Sequence, residues 1–394
     1  MTWAAMQRDW TRRHGRSKAP PINDLAGRET ADGSGPNRGG LGRCRDRLAN
    51  GEQGRMTFAA DLAPQGHAPD AGVAAALRRA LPSGEVATDV PLATLGRWRI
   101  GGPADIVVTP QSVETLATAL AVIAEQDARH IVIGDGSNLL FDDAGFRGVV
   151  LRIGRGLGGI RNLGDGLVEA GAGLWVPAFV RQVIDWGLAG AVHAIGIPGT
   201  LGGLITMNGG SQRKGIGENV VRVDAIDPAG RMQRLTQDDL DYRYRASRLQ
   251  RGDLIVVAAQ LRFETGDRQA MRREALSILA ARRAKFPMVR ANCGSVFVSD
   301  PALYSLIGPP GLAIERAGLK GVSAGGAQIS PDHANFIVNN GGARAQDVLH
   351  LIRLARRSVA AMSGIAMDAE VRHLAPNGVL RPAHEVADLL ADRA

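Results

Sequence analysis

The spacing of apolar residues becomes regular near Val90 and from there alternates between helical and strand periods. A helix is predicted where Ser112 can act as the cap and apolar residues recur on one face, at Val113, Leu116, Leu120 and Ile123. Short apolar or β-branched runs predict strands at residues 106–109, 130–133, 149–153, 220–226 and 254–263. This order of strand, helix and strand resembles α/β organisation, in which ligands bind at strand ends.

Further helices and strands follow from the same criteria. Helices are predicted at residues 174–188, 269–284 and 346–363, the last ended by Gly364. Another helix is broken at Pro309-Pro310. Strands are predicted at residues 293–298, 333–338 and 367–374, while residues 228–230 form a hairpin turn between two earlier strands.

Two glycine-rich runs interrupt this pattern. Residues 195–210 hold six glycines, which makes the run a poor helix and a poor strand. Its backbone N–H groups can converge on an anion such as a phosphate, as can those of residues 131–140. The Gly-Lys-Ser/Thr of a nucleoside-triphosphate-binding loop is absent from the sequence of the run. Taken alone, either run is equally consistent with a glycine-rich surface loop.

A third run, residues 154–159, matches the G-x-G-x-x-G pattern of dinucleotide-binding folds. Residues 161–166 after it are turn-forming rather than helical. The acidic residue that would bind a ribose about twenty positions further on is missing. We therefore do not predict a dinucleotide-binding Rossmann fold.

The charge of the 394-residue chain is concentrated at its start. Residues 1–55 carry eleven basic and six acidic residues, a net +5 of the +8 for the whole chain. They are polar and aperiodic, so we expect a disordered basic tail, then an N-terminal lead-in at 56–89. We also expect the native start to lie at Met56. A tail that binds nucleic acid is the alternative, but we expect no nucleic-acid partner.

The composition argues against a disulfide-rich, metal-binding, membrane or secreted protein. Two cysteines, Cys44 and Cys293, are too few for a disulfide framework and lack metal-site spacing, so no metal site is expected. Apolar runs fall short of the ~18 residues that a membrane helix needs, and the start lacks the apolar region of a secretory signal. We expect a cytoplasmic protein without a membrane partner, and a monomer.

Eight short motifs, in this order along the chain, resemble those of the UDP-N-acetylenolpyruvoylglucosamine reductase family. They are R-I-G-G-x-A-D at 99–105, G-x-G-S-N-L-L at 134–140, I-P-G-x-x-G-G with M-N-x-G at 197–210, Y-R-x-S at 244–247, G-S-x-F at 294–297, A-G-L-K-G at 317–321, H-x-N-F-I-V-N at 333–339 and E-V-R at 370–372. Each match is weak, but eight in sequence are hard to obtain by chance.

The resemblance implies an α+β fold. A vanillyl-alcohol-oxidase-type FAD-binding domain of two subdomains would occupy residues 90–266, and a smaller α+β substrate-binding domain residues 267–394. Non-covalent FAD would be bound by Arg99, Gly101, Gly134, Gly136, Ser137, Asn138, Leu139, Ile197, Pro198, Gly199, Thr200, Gly202, Gly203 and Asn208. NADPH would be the hydride donor, and UDP-N-acetylglucosamine enolpyruvate the substrate.

The resemblance also assigns three catalytic residues. Arg245 would stabilise the developing negative charge, Glu370 would hydrogen-bond the developing acid if protonated, and Ser295 would protonate the α-carbon. Without the resemblance, Ser295 is a small residue at a tight spot, Arg245 a surface arginine and Glu370 half of a salt bridge with Arg372. Arg243 competes for the arginine role, but only Arg245 has a serine two positions later.

Some positions depart from the family pattern. M-N-G-G-S-Q-R-K-G at 207–215, Phe286-Pro287 and V-S-D-P at 298–301 replace the usual residues on the expected substrate side. A paralogue that reduces a related nucleotide sugar is therefore an alternative. A second alternative is a flavin oxidase or dehydrogenase of the same fold that acts on a sugar alcohol, with His193 as the candidate flavin-linking residue. A third is a non-catalytic protein that binds flavin or a nucleotide sugar.

Overall fold

The computed structural model of the protein describes residues 71–212 and 214–389. The predicted tail at 1–55, and the lead-in up to residue 70, lie outside these residues. The described helices are α1 (Ala71–Ala80), α2 (Val113–Glu125), α3 (Val176–Asp185), α4 (Leu201–Thr206), α5 (Arg268–Lys285), α6 (Pro301–Ile307), α7 (Pro310–Arg316), α8 (Ala345–Ser363) and α9 (Ala383–Leu389).

The described strands form five sheets. In chain order they are β1 (Val86–Pro91), β2 (Pro103–Val108), β3 (His130–Ile133), β4 (Leu139–Phe141), β5 (Phe146–Arg152), β6 (Ile160–Gly164), β7 (Leu167–Gly171), β8 (Leu188–Ala189), β9 (Val220–Ile226), β10 (Met232–Thr236), β11 (Ile255–Arg262), β12 (Glu264–Thr265), β13 (Ser323–Ala324), β14 (Ala327–Ile329), β15 (Ile337–Asn339), β16 (Arg372–Leu374) and β17 (Leu380–Pro382). The sheet orders are β1-β2-β5-β3, β10-β9-β11-β7-β6, β12-β8, β13-β14-β15 and β17-β16-β4.

The first two sheets pack with helices around a large apolar core. In the first sheet, β5 lies between β2 and β3 and runs parallel to both. The second sheet is antiparallel throughout. Ser112 caps α2 as predicted, since its Oγ accepts the Thr115 N–H at 3.2 Å while Thr115 Oγ1 accepts the Ser112 N–H at 3.1 Å. The helix then buries Leu116 and Leu120 in the core, each contributing about 1.5–3 kcal/mol.

A second core surrounds α8, whose buried face carries Val348, Ile352 and Val359 as helical spacing requires. Gly364 ends α8 in the left-handed conformation, at φ +71°, which confirms the predicted stop. Trp98 belongs to this second core although it precedes β2 in the chain.

One sheet joins the two halves of the chain. Strand β16 pairs in parallel with β4, with Arg372 opposite Leu139 and Leu374 opposite Phe141. Helix α5, on the C-terminal side of the predicted boundary at 267, buries Met271 and Ala275 in the first core. The division into domains at 90–266 and 267–394 stays a prediction.

The glycine-rich run 195–210 contains a helix that its composition did not predict. Thr200 caps α4, and its Oγ1 accepts the Gly203 N–H at 3.4 Å. Gly202 packs so closely that an added Cβ would lie 2.9 Å from the Ala172 Cβ. Tertiary packing thus requires small residues in α4 and outweighs their low intrinsic helix propensity.

Three of the strands predicted in the second half are absent or shorter in the described structure. Residues 293–298 form no continuous strand, because Gly294 has φ +80° and the neighbouring main chain bonds to separate loops. Strand β15 begins at Ile337, since Phe336 and His333 form a turn closed by a 3.0 Å hydrogen bond. The last predicted strand is reduced to β16. Of residues 161–166, predicted to be a turn, residues 161–164 belong instead to β6, and residues 165–166 form the turn between β6 and β7.

Gly308 and Pro309 separate α6 from α7, which begins at Pro310, so the helix is broken where the sequence predicted. Residues 155–157, inside the run at 154–159, form a short 3-10 turn, and β6 follows the run. Strand rather than helix follows the run, so the rejection of a dinucleotide motif is confirmed. Among residues 71–212 and 214–389, no helix has both the length and the apolar character needed to cross a membrane.

Candidate active site

The two glycine loops predicted from the sequence touch each other. The first loop follows β3 and the second leads into α4. A methyl group on Gly134 would overlap the Thr200 hydroxyl, and one on Gly199 would lie 2.8 Å from Ser137 Oγ. Gly199 also has φ +129°, which disfavours other residues. Glycine is therefore required at both points for the loops to meet.

Both loops present main-chain donors that the protein does not use. The N–H groups of residues 135–138, and those of Gly199 and Thr200, donate no hydrogen bond to any residue that the structure describes. Unused N–H groups from two touching loops suit an anion such as the diphosphate of FAD. The residues present therefore fit this cofactor.

Other predicted cofactor residues have structural roles as well. Gly101, at φ +129°, leaves room for Phe141, whose Cβ would lie 2.6 Å from an added methyl group. Arg99 also has a positive φ, at +55°. The Asn208 amide donates to the Arg243 carbonyl at 2.8 Å, and its Oδ1 accepts the Gly217 N–H at 3.0 Å. Ile197 packs on the first core, and Pro198 is half-buried in the same loop. Leu139 begins β4 and packs on a separate cluster that includes Phe141.

Arg245 and Glu370 form an ion pair, with Nε 3.1 Å from Oε1. The Arg245 guanidinium also donates to the carbonyls of Gly210 at 2.7 Å and Asn208 at 3.4 Å. These contacts fix it at the end of the second glycine run. Burial raises the pKa of Glu370, and the charge of Arg245 opposes this rise in part.

The structure rejects two of the alternatives left by the sequence. Arg372 donates to Gln250 Oε1 at 2.7 Å, so the proposed salt bridge between Glu370 and Arg372 was wrong. Arg243 is exposed and pairs with Asp241 at 3.1 Å, whereas Arg245 lies beside Glu370. Of the two arginines, only Arg245 is placed to act with the acid.

Ser295 lies beside the Glu370 segment with its side chain exposed. The Glu370 N–H donates to the carbonyl of Val296 at 2.8 Å, which ties the two segments together one residue from Ser295. Asn292 Oδ1 accepts the Gly294 N–H at 2.9 Å and shapes the turn before the serine. The three predicted catalytic residues are therefore on adjoining segments.

Asn335 and Gln250, which support this arrangement, were missed in the sequence, and Asn138, predicted to bind the cofactor, makes a further contact. Asn138 donates to the Glu370 carbonyl at 3.1 Å, which links the first glycine loop to the acid. The buried Asn335 side chain makes both of its bonds, at 2.9 and 3.0 Å, with the main chain of Phe297. Gln250 donates to the Arg245 carbonyl at 2.9 Å. Asn138 and Asn335 stood inside matched motifs, but no local pattern indicated their partners.

Cys293 and His193, two further residues considered in the sequence, are buried. The Cys293 thiol is buried, and burial raises its pKa to about 12. His193, considered as a flavin-linking residue, is buried and its carbonyl accepts the Ser211 hydroxyl at 2.5 Å. Burial lowers the pKa of His193.

Comparisons with known proteins agree with this architecture. Residues 104–236 match an FAD-binding domain, and residues 286–374 match the C-terminal domain of UDP-N-acetylenolpyruvoylglucosamine reductase. The chain is 46% identical over 302 residues to UDP-N-acetylenolpyruvoylglucosamine reductase 1 of Corynebacterium glutamicum, covering 77% of this chain and 90% of that protein. It is 43% identical to the reductase of Heliobacterium modesticaldum over 73% of this chain and 90% of that protein.

A solved structure shows the same similarity to these reductases. The UDP-N-acetylenolpyruvylglucosamine reductase of Thermus caldophilus superposes with a TM-score of 0.61 at 29% identity, covering 72% of this chain and 97% of that one. The sequence matches exceed 40% identity over nine-tenths of the relatives. This chain belongs to the UDP-N-acetylenolpyruvoylglucosamine reductase family.

Proposed function

We propose that the ion pair of Arg245 and Glu370, with Ser295 on the adjoining segment, is the catalytic centre of this flavoprotein reductase. Its reaction is the reduction of UDP-N-acetylglucosamine enolpyruvate to UDP-N-acetylmuramate, a step of peptidoglycan precursor synthesis, with NADPH as the hydride donor. The observation that carries the assignment is the 3.1 Å contact between a fixed guanidinium and a partly buried carboxyl group.

The chain supplies the cofactor site from its two glycine loops. The unused N–H groups of residues 135–138, Gly199 and Thr200 would hold the diphosphate of FAD. Bound FAD supplies hydride transfer between NADPH and the enolpyruvyl double bond. The first loop, residues 131–140, contains no cysteine or histidine that could link to the flavin, so we expect acid or heat to release the flavin.

Arg245 and Glu370 would act on the charge that develops in the substrate. Hydride addition at the β-carbon places negative charge on the α-carbon and its carboxylate. Arg245, held by two main-chain carbonyls, is a preorganised cation for that charge. Burial raises the pKa of Glu370 while the charge of Arg245 opposes this rise. On taking up a proton, the carboxyl group could donate a hydrogen bond to the same oxygens.

Ser295 would donate the proton that completes the reduction at the α-carbon. Its hydroxyl is exposed and bonds to no residue in the described part of the chain, so it is available to a bound substrate. A serine is a weak acid and must lie directly against the developing carbanion. Solvent then returns its proton. We propose that this cycle takes place in the cytoplasm and in a monomeric protein.

The anaerobic absorption spectrum of the holoprotein tests this function. NADPH should bleach the oxidised flavin band, and UDP-N-acetylglucosamine enolpyruvate should restore it. UDP-N-acetylglucosamine, which lacks the double bond, is the matched control and should leave the flavin reduced. Flavin that stays reduced with both compounds would exclude the proposed substrate.

A further inference from the structure

Helix α5 carries a charge on its core-facing side. Met271 and Ala275 are buried in the first core, and Ile278 and Leu279 pack against it. The next position on that face, at helical spacing, is Arg282. An apolar residue would continue the stripe, so a guanidinium at this position calls for a reason other than packing.

Arg282 is held between the second glycine loop and an aromatic cluster. A methyl group on Gly196 would overlap the Cδ and Nε atoms of Arg282, so the arginine stem lies directly on the loop. The guanidinium carbon is 4.9 Å from the Phe286 ring centroid. Phe286 in turn stacks on Phe336 at 4.9 Å. These contacts fix the direction of the guanidinium.

The positive charge of Arg282 has no counterion among the described residues. Its Nε is buried without a hydrogen-bond partner there, and burial lowers the pKa of its guanidinium. By contrast, three other partly buried arginines are each paired with a carboxylate, namely Arg147 with Asp105, Arg245 with Glu370 and Arg356 with Asp388. A half-buried cation without an anion is costly, and a bound anion removes that cost.

We propose that Arg282 binds a diphosphate group beside the second glycine loop. Gly196, on which it lies, begins the segment that presents the unused N–H groups of Gly199 and Thr200. A guanidinium and main-chain N–H groups are together the donors that a diphosphate requires. This proposal rests on the proposed function, which brings two diphosphates to the protein, one in FAD and one in the sugar nucleotide.

Binding measurements with and without the phosphates distinguish the two sources. FAD and riboflavin are titrated into flavin-free full-length protein, with flavin fluorescence as the readout. UDP and uridine are titrated into the holoprotein by calorimetry. The variants are Arg282→Met, which keeps the apolar stem, and Arg282→Lys, which keeps the charge. Arg283→Ala, at the exposed neighbouring position, is the matched control.

Arg282→Met should weaken binding of FAD or of UDP by about 10- to 100-fold, the usual effect of losing a charge-assisted hydrogen bond. Riboflavin and uridine should bind as before, and Arg282→Lys should recover part of the loss. Whichever diphosphate is affected identifies the source. The proposal would be overturned if Arg282→Met lost as much affinity for riboflavin as for FAD and as much for uridine as for UDP. It would also be overturned if no affinity were lost. Wild-type protein that binds neither FAD nor UDP would instead contradict the proposed function.

Discussion

At the scale of single residues, the proposed mechanism depends on the protonation of Glu370. Its burial raises the pKa above the ordinary value of 4.5, while Arg245, 3.1 Å away, counteracts that rise. A buried carboxyl group with a raised pKa stabilises the fold at low pH. That contribution is lost as the pH rises through the raised value, because the charged form is less well solvated inside the protein.

Glu370→Gln tests this sign. The wild type should lose unfolding free energy relative to the variant as the pH rises from about 4.5 toward neutrality. The variant removes the titrating group but keeps its shape. Denaturant unfolding of both proteins across this range measures the difference. The raised pKa would be contradicted if the difference in unfolding free energy between the two proteins did not change with pH, or if it grew in favour of the wild type as the pH rose.

The roles of these residues were predicted from motifs, but their contacts were not. Arg245 was preferred over Arg243 because a serine followed it, and the structure places Arg245 beside Glu370. The link from Asn138 to the Glu370 carbonyl joins residues 232 positions apart. Such a contact depends on how β4 and β16 pair, and no local spacing can reveal it.

At the scale of secondary-structure elements, the two glycine loops depend on close approach. Gly134→Ala should push the first loop away from Thr200. We expect FAD affinity to fall by roughly 5- to 100-fold, corresponding to ~1–3 kcal/mol of overpacking. Flavin fluorescence titration of the full-length protein measures this loss.

Gly159→Ala is the matched control for that substitution. Gly159 belongs to the rejected G-x-G-x-x-G run, and an added methyl group there meets no described atom within 4 Å. Its FAD affinity should equal that of the wild type. An unchanged affinity in Gly134→Ala, or an equal loss in both variants, would argue against the assigned loop.

Local signals predicted the regular elements well. Ser112 and Thr115 cap α2 within the chain segment itself, and the strand at His130–Ile133 was predicted with the observed bounds. Helix α4 was missed because its glycines are stabilised by packing on Ala172. The predicted strand at 293–298 failed because hydrogen bonds to distant loops replace a ladder there.

At the scale of the whole molecule, the charge of the chain is concentrated in residues 1–55. Their composition indicates little contribution to a core. Removing them should leave turnover and unfolding free energy nearly unchanged, while any salt-sensitive affinity for nucleic acid should fall with the lost charge. Turnover, thermal unfolding and salt-dependent binding of the truncated protein measure these effects. Loss of flavin or of activity would place the segment within the functional unit.

The pairing of β4 with β16 explains how one site uses both halves of the chain. It brings the loop before β4, with its unused N–H groups, next to Glu370 just before β16. The proposed cofactor loop and Glu370 thus precede two paired strands, and the Glu370 N–H bonds to the Val296 carbonyl, next to Ser295. In the proposed cycle, Ser295 must act only after the flavin has been reduced.

The two half-reactions of Ser295→Ala, followed separately by stopped-flow absorbance, test this requirement most directly. Reduction of the flavin by NADPH should proceed at the wild-type rate. Reoxidation by UDP-N-acetylglucosamine enolpyruvate should slow by roughly 10²–10⁴-fold, the scale for losing a positioned acid. Ser305→Ala, which removes an exposed hydroxyl bonded within α6, should leave both rates unchanged. A Ser295→Ala protein that reoxidises at the wild-type rate would contradict the central claim.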